Sequence, residues 1–321
     1  MMYDAIRNFN LQFAYQPVLE GGDVLPRRQR FLVAGMGGSA LAGKLIASIR
    51  PELNLVTHRN YGLPKSIEEH TDEWMCVAIS YSGNTEETID AYARAVELGI
   101  PTVAIASGGK LLEMARSRNG AYIALPEQGI QPRSAIGFMC MALLVAIREE
   151  SALSELRSLA EKIHPDAQED AGKKIAKKLK NKIPIIYSSE NNAALGYVWK
   201  IKCNENAKVP AFANVLPEAN HNEMSGFEVN DLTKKLSKHF AFIFLTDASD
   251  HPRVQRRMEV YKNLLEENGY FVIALPLEEG LRSESIFKSS SLADWTSFHM
   301  ADMYKIDPGP VATIERFKRL L

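Results

Sequence analysis

Short apolar runs alternate with helix-period segments along almost the whole chain. That order predicts the α/β class, with parallel sheets covered by helices on both faces and right-handed crossovers. Residues 31–35 read as a strand leading to a helix near 40–48, and 53–57 are extended. Residues 75–80 lead to a helix at 86–98, 102–106 to one at 111–116, and 122–125 to one at 136–149. The stretch 151–182 is charged and helical. The rhythm then restarts, with strands at 183–187, 240–245 and 271–276 and helices at 193–207, 254–268, 283–304 and 310–321.

The 321 residues leave room for two domains of about 150 residues each. The pattern places them at 1–152 and 153–321, the second closing with a short helix. A net charge of −1 supplies no field that would draw the chain to nucleic acid or anionic lipid. The basic run at 173–180 has apolar residues at helical spacing and reads as a solvated helix face. Cys76, Cys140 and Cys203 lack CxxC spacing and lie in apolar or helical segments, which predicts reduced, buried thiols. The first residues show no signal-peptide core, and the longest uncharged apolar run, 137–147, is well short of the ~18 residues that span a bilayer. The expectation is a soluble, cytoplasmic protein with no nucleic-acid or membrane partner.

Chemistry enters at Ser80-Tyr81-Ser82-Gly83-Asn84-Thr85-Glu86-Glu87-Thr88, a polar turn between a strand and a helix. Hydroxyls and unsatisfied backbone N–H groups at a helix start make an anion site, and no lysine or arginine lies in the turn. A small sugar phosphate held by neutral donors fits it. Gly35-Met36-Gly37-Gly38-Ser39-Ala40 forms a comparable turn and matches the G-x-G-x-x-A dinucleotide fingerprint. That fingerprint also needs an acid about 20 residues on to hold a ribose. Leu55-Val56-Thr57-His58 offers none, so close backbone approach to a small ligand is the better reading.

Arg133 lies just before a helix, either as a surface ion-pair partner or as a cation facing negative charge that develops during reaction. Glu205 ends a largely apolar helix. It reads equally as a partner of Lys202 or Lys208 and as a general base. The loop Pro217-Glu218-Ala219-Asn220-His221-Asn222-Glu223 carries metal-ligand types, but its spacing matches no zinc pattern, and a metal-free acid/base role for His221 is favoured.

Six blocks in order carry a resemblance. They are Gly37-Gly38-Ser39-Ala40-Leu41-Ala42-Gly43, Ser80-Tyr81-Ser82-Gly83-Asn84-Thr85-Glu86-Glu87, Pro132-Arg133-Ser134, Glu205-Asn206-Ala207-Lys208, the loop from Pro217 to Glu223, and Asp307-Pro308 through Ile314-Glu315-Arg316-Phe317-Lys318. Together they resemble the bifunctional phosphoglucose/phosphomannose isomerases, a branch of the sugar isomerase (SIS) superfamily. The resemblance implies two SIS domains, a homodimer with its active site at the subunit interface, and no cofactor. It implies that Gly38, Ser39, Ser80, Ser82 and Thr85 hold the phosphate, that Glu205 shuttles the proton and that Arg133 faces the enediolate. His221, from the neighbouring subunit, and Lys318 would open the sugar ring. Two positions depart from the family pattern: Gly309 stands where a hydroxyl residue linked to mannose activity is expected, with Thr313 the nearest hydroxyl, and Lys44 replaces an acid. A non-catalytic sugar-phosphate sensor, a nicotinamide-linked oxidoreductase and an isomerase of another phosphosugar are the competing classes.

Overall fold

A computed structural model describes residues 1–21 and 25–320. The chain divides into two compact units, Asn8–Ile163 and a second formed by Met1–Arg7 with His164–Leu321.

The first unit winds β1 (Arg30–Ala34), β2 (Asn54–His58), β3 (Trp74–Ile79), β4 (Thr102–Ala106) and β5 (Ala121–Ala124) into a parallel sheet of order β2-β1-β3-β4-β5. The central strands are continuous apolar runs because both faces are covered. Its helices are α2 (Gly37–Ile49), α3 (Lys65–Glu68), α4 (Glu86–Glu97), α5 (Gly109–Ser117), α6 (Ile136–Ala146) and α7 (Glu150–Lys162), following α1 (Met2–Arg7) of the other unit. Leu32, Ala34 and Cys76 pack on Ala91 and Ala95 of α4, while Ala78 and Ala104 meet Tyr92 and the Leu111–Leu112 pair of α5. Val33 points to the opposite face, where it meets α2 at Gly43. Helix α6 is buried along nearly its whole length. The expected division at 152/153 falls within α7, whose Leu153, Leu156 and Leu159 are buried.

The second unit repeats the winding with one strand fewer. Its strands β6 (Ile183–Ser189), β7 (Phe212–Leu216), β8 (Phe240–Thr246) and β9 (Phe271–Pro276) lie parallel in the order β7-β6-β8-β9. Its remaining helices are α8 (Glu169–Lys178), α9 (Ala193–Glu205), α10 (Lys234–Ser237), α11 (Pro252–Glu267), α12 (Arg282–Met303) and α13 (Ala312–Lys318). Ile185, Tyr187, Phe242 and Phe244 form the core with Met258, Tyr261 and Leu265 of α11. Strand β7 was not among the sequence expectations. It is a half-exposed edge strand interrupted by Asn214, so it lacks the apolar run that marks the others. Helix α1 joins this unit through Tyr3, whose ring lies 5.2 Å from Trp295 and 5.8 Å from Phe298. The lysines of 173–180 are all exposed on α8 and the following turn, while Ile175, Ala176 and Leu179 are buried, as the solvated-face reading predicts. The three cysteines are free and buried, and burial pushes the Cys76 and Cys203 thiols up to about 12. Among the described residues, no helix is long and apolar enough to cross a membrane.

Candidate active site

In the first unit, the strand order reverses direction between β1 and β3, and open α/β sheets bind ligands in that crevice beyond the carboxyl ends of the strands. Both polar turns of the sequence meet there. Ser39 sits in the first turn of α2 and is 5% exposed, and its Oγ accepts the Tyr81 amide at 3.1 Å, tying one turn to the other. Ser80 follows β3 directly and is fully buried. Its Oγ lies 2.8 Å from Thr85 Oγ1 and accepts the Thr85 amide at 3.4 Å. Ser82 is exposed and its Oγ accepts the Asn84 amide at 3.3 Å. Neither Met36 nor Thr85 caps its helix through its side chain, so the starts of α2 and α4 bring helix dipoles to this crevice without a lysine in either turn. Glu86 and Glu87 stand in the first turn of α4, and the Ser39 amide is taken by the Met36 carbonyl at 3.0 Å.

Gly83 has φ +72°, a left-handed turn that L side chains rarely adopt. Residues 107–111 brace this turn: Ser107 Oγ donates to the Tyr81 carbonyl at 2.7 Å and Leu111 N to the Gly83 carbonyl at 2.9 Å. Gly38 abuts the backbone of Arg133, and a Cβ there would lie 2.8 Å from Arg133 N. Arg133 itself is 1% exposed, on a short 3₁₀ turn before α6, so its guanidinium is not a solvated surface group. Gln12 fixes that turn. Its Nε2 donates to the Ser134 carbonyl at 2.6 Å and its Oε1 accepts the Gly137 and Phe138 amides at 2.9 and 3.3 Å, capping α6. Neither Gln12 nor Ser107 carried a sequence signal, since each acts through backbone groups remote in the chain. At the end of β2, Thr57 and His58 supply no acid for a ribose, and the His58 carbonyl is taken by Gly35 N. Lys44 lies half-buried in α2, where burial and the nearby Arg59 pull its ammonium below the usual lysine range.

The second unit carries Glu205, His221 and Lys318. Glu205 is the half-buried last residue of α9. The Lys202 ammonium is buried 2.7 Å from Asp294 Oδ1. Lys208 Nζ donates to the Glu205 carbonyl at 2.6 Å and to that of Pro308 at 3.3 Å. His221 is exposed on a 3₁₀ turn after β7. Its loop is anchored by Glu223, which accepts from the Tyr187 hydroxyl at 2.6 Å and Asn214 Nδ2 at 2.5 Å. Burial, neighbouring Tyr261 and that carboxylate push the Tyr187 phenol far up. Glu223 thus turns inward, away from the metal-ligand arrangement considered from sequence. Among the described residues, no group of three metal-ligating side chains is placed to hold an ion. Lys318 lies on α13, a helix without buried residues.

Glu205 and His221 stand at opposite ends of the strands of their sheet. Helix α9 returns to the end where β6 begins, and Ile183, Ala207 and Lys208 line one recess there. The five residues of β7 then lead to the other end, a rise of roughly 16 Å, before His221 is reached.

Residues 168–321 match the bacterial phospho-glucose isomerase C-terminal SIS domain family. A bifunctional phosphoglucose/phosphomannose isomerase from Aquifex aeolicus is 32% identical over 326 residues, covering 100% of this chain and 98% of that protein. The chain belongs to the bifunctional phosphoglucose/phosphomannose isomerase family. A D-glucosamine-6-phosphate 4-epimerase from Sulfolobus acidocaldarius is 36% identical over 195 residues, covering 59% of this chain and 61% of that one. Among solved structures, a hypothetical protein from Thermus thermophilus has a TM-score of 0.70 at 14% identity, covering 99% of this chain and 86% of its own, which establishes likeness of fold.

Proposed function

We propose that this chain is a metal-independent aldose–ketose isomerase that interconverts glucose 6-phosphate and mannose 6-phosphate with fructose 6-phosphate through a cis-enediolate. The observation that supports the reading is the β1/β3 crevice, where the starts of α2 and α4 bring Ser39, Ser80, Ser82 and Thr85 together, with Gly38 backed by the buried Arg133. Such neutral donors suit a phosphate that is held but not transferred, and its binding energy orients the sugar.

In this reading Glu205 removes the weakly acidic proton next to the carbonyl and returns it to the adjacent carbon. A carboxylate can serve both steps. Arg133 meets charge that exists only once the enediolate forms, so it stabilises the transition state more than the substrate. His221 and Lys318 open the ring by moving protons at the ring oxygen and anomeric hydroxyl. The separation of Glu205 from His221 across the sheet supports a homodimer in which each site takes its histidine from the partner. Burial of all three thiols fits a reducing cytoplasm.

Glucose and mannose 6-phosphates differ at C2, and the shared enediolate has lost that stereocentre. Purified protein given fructose 6-phosphate and a chelator should form both aldoses, and a silent assay would contradict the reading. The likeness to the epimerase favours a second substrate class, amino-sugar phosphates held in the same anion site. A rate panel including glucosamine 6-phosphate separates the two. Ligand-induced thermal stabilisation without turnover would instead mark a sensor.

A further inference from the structure

Glu205 ends its helix, and the last turn of that helix is held by polar groups where apolar packing would be usual. Lys202 and Asn206 are four residues apart and share one face of the chain around Glu205. Both are buried, at 1% and 0% exposure. Both reach α12. Lys202 Nζ lies 2.7 Å from Asp294 Oδ1 and 2.8 Å from Oδ2, gripping both oxygens of the carboxylate. Asn206 Nδ2 donates to Ser297 Oγ at 2.9 Å and approaches Asp294 Oδ1 at 3.4 Å. Asn204, still within the helix, donates Nδ2 to the Val209 carbonyl of the departing chain at 3.0 Å, and Lys208 donates to the Glu205 carbonyl at 2.6 Å.

A buried ion pair is a poor device for stability alone, because well-packed apolar residues of similar volume hold a core as well or better. Its bonds are directional, however, and fix rotation and register in a way apolar contacts do not. A base that serves two adjacent carbons needs such placement, since a displacement of ~1 Å can cost ~100-fold in rate. We propose that Lys202, Asp294 and Asn206 are positioning residues that set the aim of Glu205 by locking the end of α9 to α12. They touch no reacting atom, and the proposal rests on Glu205 being the base.

The test is the double variant Lys202→Met/Asp294→Leu, which removes both charges and keeps the volume. Its melting temperature should stay near the parent's and its KM for fructose 6-phosphate within about twofold, while kcat and solvent exchange at C2 fall at least ~10-fold. A purely structural role predicts the reverse, a shifted melting temperature with parent kcat, and that result overturns the proposal. Should the double variant not fold, Asn206→Leu answers the same question: kcat should fall about threefold or more at unchanged KM, and parent kcat overturns the proposal. Glu205→Gln is assayed alongside. If it retains exchange, the base assignment falls and the positioning role with it. If it is inert while the other variants keep parent kcat, only the positioning role falls.

Discussion

Thr85 joins the fold to the proposed site. Its amide and hydroxyl both meet Ser80 Oγ, and it stands immediately before α4. In Thr85→Val the helix remains and the hydroxyl is lost. With a hydrogen bond to a charged group worth ~1.5–3 kcal/mol, KM for fructose 6-phosphate should rise about 10- to 100-fold with a smaller change in kcat, as steady-state kinetics would read. An unchanged KM would remove Thr85 from phosphate binding. The hydroxyl cluster was legible in the sequence because polar residues between a strand and a helix have few other uses. The full burial of Ser80 and Arg133 was not legible, because it depends on contacts with distant segments.

At the scale of elements, the site depends on how helix starts are held. Gln12 makes three hydrogen bonds at the start of α6. Gln12→Leu leaves the Ser134 carbonyl and two helix amides without these partners inside the protein. Each such group costs ~1–3 kcal/mol, so denaturant unfolding should show a loss of about 2 kcal/mol or more, with kcat lowered as the Arg133 turn loosens. Wild-type stability would contradict this role. Helix α12 carries a second test. His299 stacks on Trp295 with 5.9 Å between ring centroids, and burial holds its pKa below the usual histidine value. Glu169, 3.3 Å from Nε2, and Asp302 oppose that shift, while Lys173 adds to it. The folded state thus favours neutral His299. Its contribution is complete above the unfolded value of ~6.5 and is lost as pH falls below it. Unfolding midpoints at pH 8 and 5.5 should differ, and His299→Gln should shrink the difference; an equal difference in the variant would contradict the assignment. Helix α12 was expected from sequence, yet the work of Asp294 was invisible because its partner Lys202 is 92 residues away. Edge strand β7 escaped for a related reason: one polar residue breaks a five-residue pattern.

For the whole molecule, the alternating pattern disclosed an α/β chain with two similar halves, and the two sheets share one winding order. The pattern could not reveal which end of the sheet carries each residue. The placement of Glu205 and His221 at opposite strand ends has a consequence for assembly. Mixing inactive Glu205→Gln and His221→Ala proteins, with subunit exchange, should restore up to about a quarter of parent activity, since half the dimers then hold one intact site. No recovery after demonstrated exchange would place both residues in the same subunit's site. The central claim, that one carboxylate carries hydrogen between neighbouring carbons of a phosphate-anchored sugar, is tested most directly in deuterium oxide. The parent protein should place deuterium at C2 of glucose 6-phosphate formed from fructose 6-phosphate, and Glu205→Gln should bind the sugar yet incorporate none. Incorporation by Glu205→Gln at the parent rate would contradict the account.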